Sequence, residues 1–145
     1  MFIPDPIIPT LQSAPFDDPE WIYEIKHDGF RALAVIEHGQ CRFFSRKKHK
    51  FTGYQDLPAA LVKEVHADAA ILDGELVVTD HLGRTMFADL LKQRELARYF
   101  AFDLLWLNGE DLMHMMRPYL SLPCVCNVTS LRKTNTDVAC LAFVP

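Results

Sequence analysis

The sequence predicts an α+β domain built on a mostly antiparallel sheet with flanking helices. Three observations carry that reading. Short β-rich runs follow one another with turn signals between them, so neighbouring strands can meet through hairpins. One window, "DLPAALVKEVHA", has a helical apolar period. Half of the 145 residues are apolar and 23% are charged, a mixture suited to one domain with a real core.

The elements follow in order. Five prolines in residues 1–20 (Pro4, Pro6, Pro9, Pro15, Pro19) predict an extended leader laid over the core. "WIYEIKHD" carries strand signals, and "RALAVIEH" and "CRFFSR" flank Gly39-Gln40 as a hairpin. In the helix, Asp56 can cap, Pro58 sits in the first turn, and Leu61, Val62 and Val65 share a face. "AAILDGELVVTD" reads as a strand turned by His81-Leu82-Gly83, "FADLLKQREL" as a short helix. "RYFAFDLLWL" is a buried strand ended by Asn108-Gly109. Residues 119–145 contain only Asp137, Arg132 and Lys133 as charged residues and show no amphipathic period. They predict an atypical, poorly packed tail attached to a domain spanning residues 1–118.

A net charge of -4 argues against a generally basic nucleic-acid coat. Arg42, Arg46, Lys47, Lys48 and Lys50 nevertheless gather five cations in nine residues. Such a run is either a solvated loop or a phosphate-binding surface. No apolar run approaches the ~20 residues of a membrane helix, and "MFIPDPIIPT" lacks the marks of a signal peptide, so the expected location is cytoplasmic with no membrane contact. Cys41, Cys124, Cys126 and Cys140 do not fall at zinc spacing and read as free thiols. The oligomeric state is left open.

Lys26, in "YEIKHDGFR", is the candidate nucleophile. An amine attacks only once deprotonated, which its apolar flanks Ile22, Ile25 and Phe30 could promote and Asp28 would oppose. Gly29 lets the backbone turn tightly where a side chain would clash. By itself a Lys-x-Asp-Gly is more often a surface lysine at a strand edge. Glu75, in "LDGELVV", could ligate a metal or accept from a ribose hydroxyl, although Asp-Gly-Glu is usually a turn. Phe102, in "FAFDLLWLNG", could stack on a base or simply fill the core. Each signal is weak alone; their order along the chain is informative.

Together these pieces resemble the covalent nucleotidyltransferases, and among them the ATP-dependent DNA ligases of the bacterial end-joining type. The likeness begins at "PFDDPEWIYEIKHDGFR" and continues through "FFSRKKHKFT" and "ILDGELVV" to "YFAFDLLWLNGEDL", ending near Met116. It implies the N-terminal portion of a ligase-type, ATP-grasp-like adenylation domain that serves DNA repair and recombination. Lys26 would take AMP from ATP with Mg²⁺ assisting, and nicked double-stranded DNA would be the partner. The resemblance further implies adenine recognition by Glu24 and stacking by Phe102, with Asp28 and Gly29 completing the lysine motif. Arg31 would hold the ribose, Arg46 a ribose-phosphate or the 5′-phosphate of a nick, and Glu75 the ribose or the metal.

Two departures accompany the likeness. His27 stands where such ligases commonly carry an aromatic or hydrophobic residue. The E-G-x-x-x-K element, the K-x-K strand and the oligonucleotide-binding domain do not appear after Leu107, which predicts an incomplete module, truncated or frame-shifted, with little activity. An RNA ligase or capping-type transferase and an inactive nucleotide-binding remnant are the other readings.

Overall fold

The computed structural model describes residues 2–6, 8, 10–18, 26–54, 56–92, 96–113 and 138–140, the last three by backbone alone. Its elements are β1 (Phe30–Glu37), β2 (Gln40–Ser45), α1 (Asp56–Glu64), β3 (Ala69–Val77), α2 (Phe87–Lys92), β4 (Arg98–Leu107), β5 (Glu110–Asp111) and β6 (Val138–Cys140). The sheet runs in the order β2-β1-β3-β4-β5, every one of these pairs antiparallel, and β6 lies parallel beside β4. The expected α+β class is what the chain adopts.

Turn chemistry sets the register. His38 and Gly39 have φ of 52° and 70°, the paired positive values of a two-residue hairpin whose twist matches its strands. The turn therefore falls one residue before the expected Gly39-Gln40, and Gln40 pairs with Glu37 as the first residue of β2. Asn108-Gly109 turns β4 into β5 as expected. There the Asn108 Oδ1 accepts from the amides of Asp68 (3.0 Å) and Ala69 (3.1 Å), tying the end of β4 to the start of β3. His81-Leu82-Gly83 also turns as expected. Its Asp80 carboxylate accepts from the Leu82 and Arg84 amides and the Arg84 guanidinium, which hold its pKa below the usual value.

Side chains alternate between the two faces of a strand. With Ala32 opposite Gly74 and Ala34 opposite Leu72, one face gathers Ala32, Ala34, Ile36, Ala70, Leu72 and Leu76. Helix α1 covers it with buried Leu57 and Leu61, while Val62 and Val65 pack at its margin. Cys41 and Phe43 of β2 close the same cluster, and burial pushes the Cys41 thiol up to about 12, leaving it protonated and inert. The other face has Leu33, Val35 and Ile71 as a buried floor and carries Arg31, Asp73 and Glu75 at one end.

The lead-in to this sheet differs from expectation. Lys26–Asp28 form irregular chain ahead of β1, so the strand expected over "WIYEIKHD" does not include them; residues 21–25 lie outside the described residues. Asp73-Gly74-Glu75 is the middle of β3, as the strand expected over "AAILDGELVVTD" has it, and not the turn that the tripeptide alone would suggest. Gly74 is needed there because a Cβ would stand 2.3 Å from the Phe100 carbonyl oxygen and 2.6 Å from the Tyr99 ring. Tyr99, fully buried, crosses that gap and donates its hydroxyl to the carbonyls of Ala32 (2.9 Å) and Leu72 (3.1 Å). Of the tail, Val138–Cys140 pair with Tyr99–Ala101, a strand that no periodicity announced; the remaining residues of the tail lie outside the described residues.

Candidate active site

At one end of the sheet the start of β1, the end of β3 and the middle of β4 bring ionic and aromatic groups together. Arg31 stands directly opposite Glu75, and Leu33 opposite Asp73, so all four share a face. Arg31 donates from Nε to one Asp73 oxygen (3.0 Å) and from an Nη to the other (2.6 Å). This is a two-point fork, stronger and more directional than a single ion pair. The Asp73 side chain is 4% exposed and that of Arg31 23%, so the pair sits where water screens it poorly. The hydrogen bond to Asp73 raises the Arg31 pKa above its already high value, against the cost of burial.

The same guanidinium lies over the Phe102 ring, 5.4 Å from its centroid. Register explains why Phe102 is there. Asp73 pairs with Asp103 and Gly74 with Ala101, so Phe102 is the extra residue of a bulge in β4. A bulge re-aims a side chain relative to its neighbours. Leu105 is the extra residue of a second one, between Ile71↔Trp106 and Leu72↔Leu104.

Glu75 is half-buried, and burial raises its pKa. Arg31, a hydrogen bond from the Gly29 amide and the Lys26 charge all act in the opposite direction. Gly29 itself lies against β3: a Cβ there would be 2.1 Å from the Leu76 carbonyl oxygen. The glycine answers to close approach, since its φ is not among the positive ones.

Lys26 is arranged differently from the rest. Its side chain is 85% exposed and its Nζ is 3.4 Å from Asp28, itself 64% exposed. The expected apolar flank does not enclose the amine. Phe30 is committed to Phe51 and Phe87, at centroid distances of 6.1 and 5.4 Å, while Ile22 and Ile25 lie outside the described residues.

Arg46 is exposed in the turn after Ser45, whose partner is Ala32, and so lies at the same end of the sheet as Arg31. In that turn Lys48 has φ of 61° and meets the leader, 2.9 Å from Asp5 and 5.3 Å from the Phe2 ring centroid. Glu24 lies outside the described residues. A shallow concavity lined by Gln12, Ser13, Ala14, Pro15 and Phe16 belongs to the leader and holds none of these groups.

Asp73, which fixes the Arg31 guanidinium, was not among the residues that the sequence singled out. The signal was present: a carboxylate inside the apolar run "AAILDGELVV" must find a cation if that run is a buried strand.

The lysine loop, the arginine–aspartate fork and the bulge-mounted aromatic sit on an antiparallel sheet that superposes on part of solved LigD ligase domains. The chain belongs to the ATP-dependent DNA ligase family, matching the ATP dependent DNA ligase domain over residues 10–119. It is 32% identical over 111 residues to the multifunctional non-homologous end joining protein LigD of Mycolicibacterium smegmatis, covering 74% of this chain. With LigD of Pseudomonas aeruginosa it shares 37% identity over 117 residues, covering 76% of this chain. The chain spans 15% and 14% of the lengths of these two relatives. The crystal structure of the ligase domain from M. tuberculosis LigD superposes with a TM-score of 0.54 at 33% identity, over 61% of this chain and 30% of that one. A mycobacterial DNA ligase D complexed with ATP and MES superposes equally well, TM-score 0.54 at 34% identity, over 61% and 30% of the two chains. Among the described residues no helix is long and apolar enough to cross a membrane.

Proposed function

We propose that this chain accepts AMP from ATP on Lys26, as the adenylation step of sealing nicked double-stranded DNA. The observation that carries the reading is that the lysine loop meets the Arg31–Glu75 pair: the Gly29 amide, three residues after Lys26, donates to the carboxylate that stands opposite Arg31. In the step, the Lys26 nitrogen forms a bond to the α-phosphorus as the bond from that phosphorus to the bridging oxygen breaks. Pyrophosphate departs and the amine loses a proton to solvent. Such transfers depend on positioning and charge neutralisation more than on acid–base groups.

This chain's residues supply both. Asp73 holds the Arg31 guanidinium in one orientation, ready for a ribose hydroxyl or a phosphate oxygen. Phe102 offers the base an aromatic surface beside that guanidinium. Arg46 adds positive charge for the 5′-phosphate of a nick. Glu24 is assigned the adenine edge by resemblance alone. The attacking amine is in water, so it is the incoming nucleotide and not a preformed apolar pocket that excludes solvent from it.

Among the described residues no three His, Cys, Asp or Glu side chains gather as a metal site. Mg²⁺ binds through one or two carboxylates together with substrate phosphates and water, so Glu75 with bound ATP fits it. When bound there, Mg²⁺ would neutralise the phosphate charge that grows on departure of pyrophosphate. The LigD relatives are end-joining proteins, which supports DNA over RNA as the partner.

Incubation of the chain with ATP labelled at the α-phosphate tests the proposal. A covalent adduct that needs Mg²⁺ and vanishes in Lys26→Arg is expected, because arginine keeps the charge but not the nucleophile. An adduct that persists in Lys26→Arg would sink it, as would no adduct at all in the unaltered chain.

A further inference from the structure

His27 stands between the two exposed groups Lys26 and Asp28, yet its own side chain is turned inward. Its ring meets Phe100 of β4 edge-on, with centroids 4.6 Å apart and planes at 62°. Two residues on, Gly29 lies against the Leu76 carbonyl of β3 and donates its amide to Glu75. The lysine segment is thus tied to two strands, to β4 through the imidazole and to β3 through the glycine. Lys26 lies immediately outside the first tie and takes its position from it.

The His27 Nε2 atom is buried and, among the described residues, has no hydrogen-bond partner. A phenyl ring could make the same edge contact without desolvating a nitrogen. An imidazole therefore makes a weaker anchor that protonation can undo.

We infer that His27 is a positioning residue for the nucleophile: its neutral ring, docked on Phe100, holds Lys26 at the mouth of the site, and protonation of the ring releases the segment. The inference rests on the Lys26 chemistry proposed above. Burial lowers the imidazole below its ordinary 6.5. A group depressed in the docked state contributes stability that is present above its free value and lost as pH falls through the docked one. The charged groups of the elements meeting here are Lys26 and Asp28 on the segment, Asp73 and Glu75 on β3, and Arg98 and Asp103 on β4; the shift comes from burial.

The test compares the full chain with its His27→Ala and His27→Phe variants. Two readouts are followed across pH: the rate of AMP-adduct formation from labelled ATP, and ¹⁵N heteronuclear NOEs of residues 26–29. His27→Ala should slow adduct formation about threefold to tenfold with the KM for ATP unchanged, and should lower the NOEs. His27→Phe should recover the rate at pH 8 to within about twofold and lack the extra acid-side fall expected of the unaltered chain below 6.5. An identical acid-side fall in His27→Phe, or unaltered rate and NOEs in His27→Ala, would overturn the inference. If the unaltered chain forms no adduct, the Lys26 reading fails separately and the NOEs decide. Order lost on acidification in the unaltered chain but kept in His27→Phe supports docking; no difference between them refutes it.

Discussion

The Arg31–Asp73–Phe102 cluster and the Lys26–Asp28 segment lie at the same end of one sheet but are built by different means. The first is made of strand register: Arg31 and Asp73 are fixed by β1 and β3, and Phe102 by a bulge in β4. Its carboxylate is 4% exposed and doubly hydrogen-bonded. The second precedes the sheet, with Lys26 85% exposed and joined to Asp28 by one contact of 3.4 Å. Exposed pairs of that kind contribute about 0–1 kcal/mol. The difference teaches that the fork is prebuilt by the core, whereas the lysine is held by little beyond its own loop.

Removing a partner from the buried pair should have the largest effect. Asp73→Ala leaves Arg31 without its fork and opens space beneath it, so stability should fall by about 3 kcal/mol in urea melts. Lys26→Ala should change it by less than about 0.5 kcal/mol. Comparable losses for the two would break the contrast between the regions. A smaller loss is expected from Tyr99→Phe, which removes the hydroxyl donated to Ala32 and Leu72 beneath the site. The melt should register about 1 kcal/mol, and no change would mean those carbonyls are satisfied by the ladder alone.

Glu75 sharpens the contrast through pH and has the smallest expected effect. Burial raises its carboxyl above 4.5 in the folded chain. The folded state then holds a proton that the unfolded state has released, so the stability Glu75 contributes is present below 4.5 and lost as pH rises through the folded value. Glu75→Gln should be slightly more stable than the unaltered chain at pH 7, and the gap should close on acidification. Melts in which the variant is less stable at pH 7 would show that Arg31 and the Gly29 amide outweigh burial.

What the sequence revealed follows the same division. Strands and turns were legible because they rest on local chemistry: positive φ at Gly39 and Gly109, alternating apolar residues, and the helical spacing that ends on Leu61 and Val65. For Asp73 the sequence showed only that a carboxylate in an apolar run needs a cation; that the cation is Arg31, 42 residues away, is set by strand pairing. The strand through Asp-Gly-Glu was legible from its apolar neighbours, but the demand for Gly74 was not, because it comes from Tyr99 lying across it, a tertiary fact. The bulge that aims Phe102 is a property of pairing and leaves no local mark. The exposure of Lys26 ran against expectation for a like reason, since Phe30 packs on Phe51 and Phe87 and not around the amine.

The central claim, that the nucleotide site is prebuilt by Arg31 and Asp73 without help from the nucleophile, can be tested with an ATP analogue bearing a methylene between the α- and β-phosphorus, which cannot transfer AMP. Calorimetry with Mg²⁺ present should find its affinity for Lys26→Ala within about threefold of the unaltered chain, and for Arg31→Ala weakened by about tenfold or more. Affinity lost in Lys26→Ala but kept in Arg31→Ala would contradict the account.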